Sequence, residues 1–383
     1  MQTNSQTTKI PFRYVQSFII IEVKLEGVIP LRLLFDTGAE HNLLFDRSAT
    51  DLIKDVYLRD IKVLGSDLIQ EIPAMLTDYM GISLENTLER KVQFIVLKEF
   101  NQHLSSVIGE RIDGILSAKI FANKVFEIDY KKHRIIVYDN KPAHKKLSHY
   151  QECKINIYKN KPYVFSDLSL SNSDSVYNLN FLLDTGAGLA LLIYKNEQTT
   201  LQIPEKGLPG KLGSGLGGVV EGYITRSKYL SFCKTRYDDV VSNFQEVSTI
   251  YSDKESRFKQ GLIGNQILDH YSIIFDYSQE KMYLKRDKKI DNFRYDRSGL
   301  SLICSGVNFD QFYIAHIIPG SPADQSRILI GDQLLSVNRI PCSFLTLHGI
   351  QTMLCKESGK KIRLKLLRNG KRIVREVYLQ NLL

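Results

Sequence analysis

Leu33-Leu34-Phe35-Asp36-Thr37-Gly38-Ala39 and Leu182-Leu183-Asp184-Thr185-Gly186-Ala187 are two copies of one pattern, an apolar run ending in Asp-Thr-Gly-Ala, with the aspartates 148 residues apart. Self-similarity at a fixed offset marks a duplicated structural unit. Leu64-Gly65-Ser66 returns at the same offset as Leu212-Gly213-Ser214. Gly114-Ile115-Leu116 followed by Ile128-Asp129-Tyr130 returns, one residue closer, as Gly261-Leu262-Ile263 followed by Phe275-Asp276-Tyr277. A lone Asp-Thr-Gly reads as a surface turn; three landmarks kept in order read as two copies of one half.

Both halves carry the same strand signals. From Phe18 to Phe35 most of the apolar residues are β-branched or aromatic, with Glu26-Gly27 between two runs, which predicts a hairpin feeding into Asp36. The second copy has Ile155 to Leu170, a polar turn at Asn172-Ser173-Asp174, and Leu179 to Leu183 leading to Asp184. Arg134 to Tyr138 and Lys281 to Leu284 predict the closing strands. The expected architecture is mainly β: a first lobe over 10–140, a second over 150–286, and a further domain over 298–383. The Pro and charges of the stretch from Asn140 to His149 suit a linker.

Two aspartates on equivalent loops suit acid–base chemistry. Carboxyl groups too close to ionise together share one proton, so one serves as base and the other as acid. The ionised member takes a proton from an attacking water, and the protonated member donates to the scissile carbonyl oxygen. Such a dyad titrates as a pair. Thr37 and Thr185 can hydrogen-bond the opposite loop's backbone, while Gly38 and Gly186 let it approach without a Cβ in the way.

This arrangement resembles the retropepsin and pepsin-like aspartic peptidases over roughly residues 12–286. The resemblance implies two retropepsin-like β-barrel lobes forming a pseudo-dimer, with Asp36 and Asp184 catalytic and Thr37, Gly38, Thr185 and Gly186 supporting them. It also implies substrate contacts from Ala39, Glu40 and Ala187. Glu40 matches an acidic position that binds substrate backbone, whereas Gly188 stands there in the second half. Ser117 stands where the second half has Gly264, at the start of Ile263-Gly264-Asn265-Gln266-Ile267-Leu268, which looks like the apolar-Gly segment and its short helix.

Gly213-Ser214-Gly215-Leu216-Gly217-Gly218 contains GxGxxG, but a dinucleotide fingerprint needs a helix to follow. Val219 to Tyr229 is instead rich in β-branched and aromatic residues, so Gly213, Ser214, Gly215, Gly217 and Gly218 are expected at the tip of a hairpin closing over substrate. The first-half counterpart, Leu64 to Glu71, has fewer glycines.

Other chemistries lack their residues. The eight histidines are scattered with no HExxH, and no GxSxG elbow is present, so no metal or cofactor is expected. Five cysteines without CxxC spacing argue against both a zinc site and a disulfide framework. The net charge of +9 is spread over separated clusters such as Lys131-Lys132-His133-Arg134 and Lys285-Arg286-Asp287-Lys288-Lys289, which read as solvated surface and not as a nucleic-acid face. No apolar run approaches the roughly 20 residues that span a bilayer. Met1 to Lys9 is polar and has no signal-peptide core.

Beyond Ser298 the pattern changes. Ser298-Gly299-Leu300-Ser301-Leu302, then Tyr313 to Ala323 containing Pro319-Gly320-Ser321-Pro322-Ala323, then Ile330-Gly331-Asp332 and an apolar strand look like a PDZ domain of the bacterial type. In that class a peptide adds as a strand beside a helix while loop N–H groups hold its carboxylate. The resemblance implies peptide contacts at Gly299, Leu300, Ser301 and Leu302, and a groove helix near Thr346 to Cys355 with Leu347, Ile350 and Leu354 on one face. If the chain's own segments block that groove, the module is a structural appendage.

Two aspartic-peptidase halves followed by PDZ resemble a bacterial family of PDZ-containing aspartyl peptidases, whose members belong to the cell envelope; a signal peptide absent or removed here fits that setting. The expected activity is endopeptidase action on a polypeptide substrate by a monomer, with the PDZ module recruiting substrate or a C-terminal peptide ligand. The alternatives are a non-catalytic peptide-binding protein that uses the PDZ groove, and a homodimer that pairs lobes between chains.

Overall fold

The computed structural model describes residues 7–65, 70–84, 88–99, 103–142, 144–171, 175–195, 201, 207–247, 259–290 and 293–383. Ser66 and the turn residues Asn172, Ser173 and Asp174 lie outside them. Each half begins with the expected hairpin. Strands Phe18–Leu25 and Ile29–Asp36 pair antiparallel from Ile20↔Leu34 to Leu25↔Ile29, and Glu26 and Gly27 take φ of 48° and 74° at the turn, the left-handed backbone that such tight reversals need. Leu31, Leu33 and Phe35 point into the core; full burial of one such side chain contributes about 1.5–3 kcal/mol. In the second half Lys161–Leu170 pairs with Val176–Leu183, from Tyr163↔Leu182 to Ser169↔Val176.

A short strand runs parallel to each strand that leads into an Asp-Thr-Gly loop. Gly114–Ser117 lies beside Ile29–Asp36 with Ser117 opposite Asp36, and Gly261–Ile263 lies beside Val176–Leu183 with Ile263 opposite Leu183. Parallel neighbours require a long crossover, and in both halves the crossover contains a hairpin: Tyr57–Leu64 with Glu71–Thr77 in the first, Leu208–Gly215 with Gly218–Phe232 in the second. The second-half sheet closes on itself, because Lys161–Leu170 also pairs with Gly218–Phe232.

The closing strands of the two halves share one six-stranded sheet, in the order Thr7–Pro11, Arg134–Tyr138, Val125–Asp129, Tyr271–Asp276, Lys281–Arg286, Gln151–Lys154. Across its centre Phe126 faces Phe275, their rings stacked with centroids 5.2 Å apart. One hydrophobic core therefore runs through both halves, from Ile10 to Phe293. The C-terminal module has its own core, with Leu302, Ile314, Val337, Ile350, Leu364 and Val377 buried together. Among the described residues no helix is long and apolar enough to cross a membrane.

The cysteines depart from expectation. Cys153 and Cys233 form a disulfide across a sequence separation of 80, fastening the edge strand Gln151–Lys154 to the turn that follows Gly218–Phe232. Neither spacing nor motif signals it, since the strand and the turn belong to different sheets and meet only in the fold. Closing a loop of that length stabilises by up to about 4 kcal/mol through the unfolded chain. Replacing Cys153 and Cys233 together by Ser is expected to lower stability by an amount approaching that figure, read from the midpoint of denaturant unfolding.

Candidate active site

Asp36 and Asp184, far apart in sequence, meet at the centre of the pseudo-twofold arrangement. Their carboxyls are half-buried and hydrogen-bond to each other. Asp36 Oδ1 accepts the N–H groups of Gly38 at 2.6 Å and Ala39 at 3.0 Å, and Asp184 Oδ1 accepts Gly186 N–H at 2.8 Å. Protein around both displaces water, which penalises the charged form and raises both pKa values. Asp36 is pushed well above the carboxylate range, by burial first and then by the charge of Asp184. Asp184 is raised too, but Lys259, the Gly186 N–H, Asp36 and Lys161 pull it back. With both carboxyls raised and coupled, the pair shares a proton and titrates as a unit.

The threonines lock the two loops together reciprocally. Thr37 N–H donates to Thr185 Oγ1 and Thr185 N–H to Thr37 Oγ1, both at 3.0 Å. Each hydroxyl then donates across to the strand beneath, Thr37 to Leu183 O at 2.6 Å and Thr185 to Phe35 O at 2.9 Å. Both side chains are fully buried, so no water can replace a lost partner. Thr37→Val keeps the shape but strands the Thr185 N–H and the Leu183 carbonyl; at 1–3 kcal/mol per buried unsatisfied group the expected loss is roughly 2–6 kcal/mol. Denaturant unfolding measures it, and Thr37→Ser should recover most of it.

Glycine is required on both loops by contact across the pseudo-dyad. A Cβ on Gly38 would stand 2.7 Å from Asp184 Cγ, and one on Gly186 would stand 2.3 Å from Asp36 Oδ2. Gly188 and Glu40 differ for a similar reason. A Cβ on Gly188 would meet the Phe18 ring at 2.9 Å, whereas Glu40 has room to reach Lys159 Nζ at 3.5 Å and His41 Nε2 at 3.7 Å. Ser117 is accommodated where the other half has Gly264. Its hydroxyl donates to Ala39 O at 2.6 Å, the task that Asn265 N–H performs on Ala187 O at 2.9 Å. A Cβ on Gly264 would strike Leu189 O at 2.3 Å.

The glycine-rich stretch is a hairpin, with Ser214↔Val219 and Gly215↔Gly218 as its last pairs; the Ser214 side chain lies outside what is described. Its tip reaches the first half. Leu216 packs on the cluster of Ile20, Leu34, Leu104 and Ile108, and a Cβ on Gly217, at φ 93°, would lie 3.2 Å from Gly65 Cα and 3.4 Å from Ile72 Cδ1. Gly213 and Gly218 have nothing within 4 Å of a built Cβ. The tip of the second-half hairpin thus meets Gly65 and Ile72 of the first-half hairpin.

Three residues that shape the site escaped the sequence reading. Lys161 and Lys259 bias Asp184 but sit in no motif. Asn265 Nδ2 donates to Thr185 O at 2.6 Å and to Ser17 O at 2.7 Å, while its Oδ1 accepts Tyr130 O–H at 2.6 Å. Its place directly after Gly264 is the one available signal. Among the described residues no group of three or more His, Cys, Asp and Glu side chains assembles that could hold a metal ion.

In the C-terminal module, strand Leu300–Ser305 pairs with Gln311–Ile317, and helix Leu347–Leu354 starts at Thr346, whose Oγ1 accepts Gly349 N–H at 3.1 Å. The N–H groups of Gly299 and Leu300, expected to hold a peptide carboxylate, are already engaged: Asp296 Oδ1 accepts them at 2.5 and 3.2 Å. Ser301 and Leu302 continue the strand opposite His316 and Ile314.

The PDZ domain family matches residues 313–368. Among solved structures, the aspartic proteinase from Irpex lacteus is similar with a TM-score of 0.41 and 10% identity, over 73% of this chain and 97% of that one. No curated protein sequence matches. The chain is mostly β and carries a PDZ domain near its C-terminal end.

Proposed function

We propose that this protein is an aspartic endopeptidase in which Asp184 activates a water molecule and Asp36 donates a proton to the scissile carbonyl. The observation that carries this reading is the carboxyl pair itself: two aspartates on duplicated loops, hydrogen-bonded to each other and unequal in proton affinity. Thr37 and Thr185 hold the loops in register, so the carboxyls need no reorganisation as charge moves between them. After attack, the proton taken by Asp184 passes to the leaving amine as the C–N bond breaks, and Asp36 takes a proton back from the gem-diol hydroxyl as the carbonyl re-forms, which restores the starting state.

The two hairpins that meet above the first half suit an extended polypeptide, with Gly213 to Gly218 flexible enough to close over it. Ala39, Ala187 and Glu40 line the approach beside the dyad, and Glu40 contributes from one side only because Phe18 blocks a side chain at position 188. The Cys153–Cys233 bridge favours an oxidising compartment such as the cell envelope. A single chain supplies both aspartates, so a monomer suffices.

Incubation with a mixed peptide library from pH 4 to 7, followed by mass spectrometry, tests the reading. Pepstatin-sensitive products from wild type and none from Asp184→Asn are expected; equal cleavage by both would overturn it.

A further inference from the structure

The peptide groove of the PDZ domain lies between strand Leu300–Ser305 and helix Leu347–Leu354, and both of its ends are engaged by the chain itself. At the loop end, Asp296 Oδ1 accepts three consecutive N–H groups, Ser298 at 2.9 Å, Gly299 at 2.5 Å and Leu300 at 3.2 Å. Ser298 Oγ donates to both Asp296 oxygens, at 2.9 and 3.0 Å. Successive N–H groups of this kind form an anion nest, and here an internal carboxylate fills it. Burial lifts the pKa of Asp296 to about 6 despite these donors.

At the far end, helix His103–Ile108 of the first half packs against strand Leu300–Ser305. Gly109, which ends that helix at φ 82°, sits between the two walls: a Cβ there would lie 3.2 Å from Cys304 Sγ and 3.8 Å from Leu347 Cβ. The same helix packs against Leu208–Gly215, the outgoing strand of the second-half hairpin. The positive charge of Lys211 on that strand adds to burial in lowering the pKa of His103. Leu104 and Ile108 belong to the cluster that receives Leu216 at the hairpin tip. On the other side the module is tied to the second half, where Leu383 packs on the main core and Arg226 donates to Phe293 O at 3.0 Å.

We propose that the PDZ groove is a receptor for the chain's own first half, with Asp296 in the carboxylate position and helix His103–Ile108 with Gly109 against its walls. In this arrangement the module braces the second-half hairpin from outside the cleft. A C-terminal peptide reaches the groove only by displacing these segments, and its arrival would release the hairpin. The inference does not depend on catalysis.

The test uses the full chain and fluorescein-labelled hexapeptides with a free C-terminal Val, Leu or Phe, read by anisotropy, alongside amide hydrogen exchange. Gly109→Asn is the informative variant, because Asn tolerates left-handed backbone while its side chain has no room against Cys304 and Leu347. Asp296→Ala empties the nest. Wild type should bind the peptides more weakly than about 1 mM, and the double variant at least tenfold more tightly. Gly109→Asn should also speed exchange in both 103–109 and 208–215. Tight binding by wild type, no binding by a folded double variant, or unchanged exchange in 208–215 would each overturn the proposal. If Gly109→Asn fails to fold, Cys304→Met presses on the same contact from the opposite wall, with the same exchange result expected. Neither readout measures peptide hydrolysis, so failure here and failure of the peptidase reading are separable.

Discussion

Asp36→Asn and Asp184→Asn should each lower kcat/KM by at least roughly 10²- to 10⁴-fold, the contribution of a positioned acid or base to proton transfer. The two variants should differ in stability. Burial, and then the charge of Asp184, hold the Asp36 pKa well above that of an unfolded carboxyl. A group whose folded pKa is raised stabilises the fold at low pH, and that contribution is lost as pH climbs from the unfolded value of about 4 through the folded one. Asn at position 36 has no charge to bury, so the melting temperature of Asp36→Asn should gain on wild type as pH rises from 4 to 7. Asp184 is raised against the opposing pull of Lys259 and Lys161, and Asp184→Asn should show the smaller gain. The pH profile of kcat/KM for wild type should be bell-shaped. Its acid limb reports the loss of the ionised carboxylate and its basic limb the loss of the shared proton, both as properties of the pair. A melting difference independent of pH would show that the pair carries no shared proton.

Gly186→Ala is expected to be nearly as damaging to activity as loss of an aspartate, without touching a titratable group. The new methyl would stand 2.3 Å from Asp36 Oδ2 and 2.5 Å from its Cγ, far inside van der Waals contact, so either the Asp36 carboxyl or the Thr-linked loop must shift. Overpacking of this kind costs about 1–3 kcal/mol of stability, whereas a displacement near 1 Å of a reacting group costs about 10²-fold in rate. The signature is therefore a kcat that falls far more than the melting temperature suggests. Gly38→Ala should behave alike, through Asp184 at 2.7 Å. Gly81→Ala is the control, since the added carbon would meet nothing closer than Glu26 Oε2 at 3.6 Å, an ordinary contact; its kcat should stay near wild type. Equal losses at positions 186 and 81 would show that the close approach across the dyad is not what the glycine provides.

Much of this fold was legible in the chain. The duplicated Asp-Thr-Gly located both loops, the Glu26-Gly27 turn and the β-branched runs located the first hairpin, and Leu347, Ile350 and Leu354 located the groove helix, all buried on one face. These features are local: turn chemistry and side-chain periodicity act over a few residues and survive in each copy of a repeat. The glycine-rich stretch was also readable as a hairpin, because the residues after it favour strand over helix.

What only tertiary structure decided involves segments that share no pattern. The positive charge near the dyad depends on Lys161, from a neighbouring strand, and Lys259, just before Gly261–Ile263, arriving near Asp184. The inequality of Glu40 and Gly188 follows from Phe18 packing against one loop alone. Cys153 meets Cys233 because the edge strand Gln151–Lys154 packs beside the turn between Gly218–Phe232 and Thr235–Glu246, two segments of different sheets. The groove was readable as a groove, but its occupation by Asp296 and Gly109 was not, since nothing in either segment names its partner. By itself the sequence determined two facing carboxyls on duplicated loops and a peptide groove behind them. The folded contacts decided which charges surround the dyad and which segments pack against the groove, because long-range packing selects neighbours by shape and charge that no short window of sequence contains.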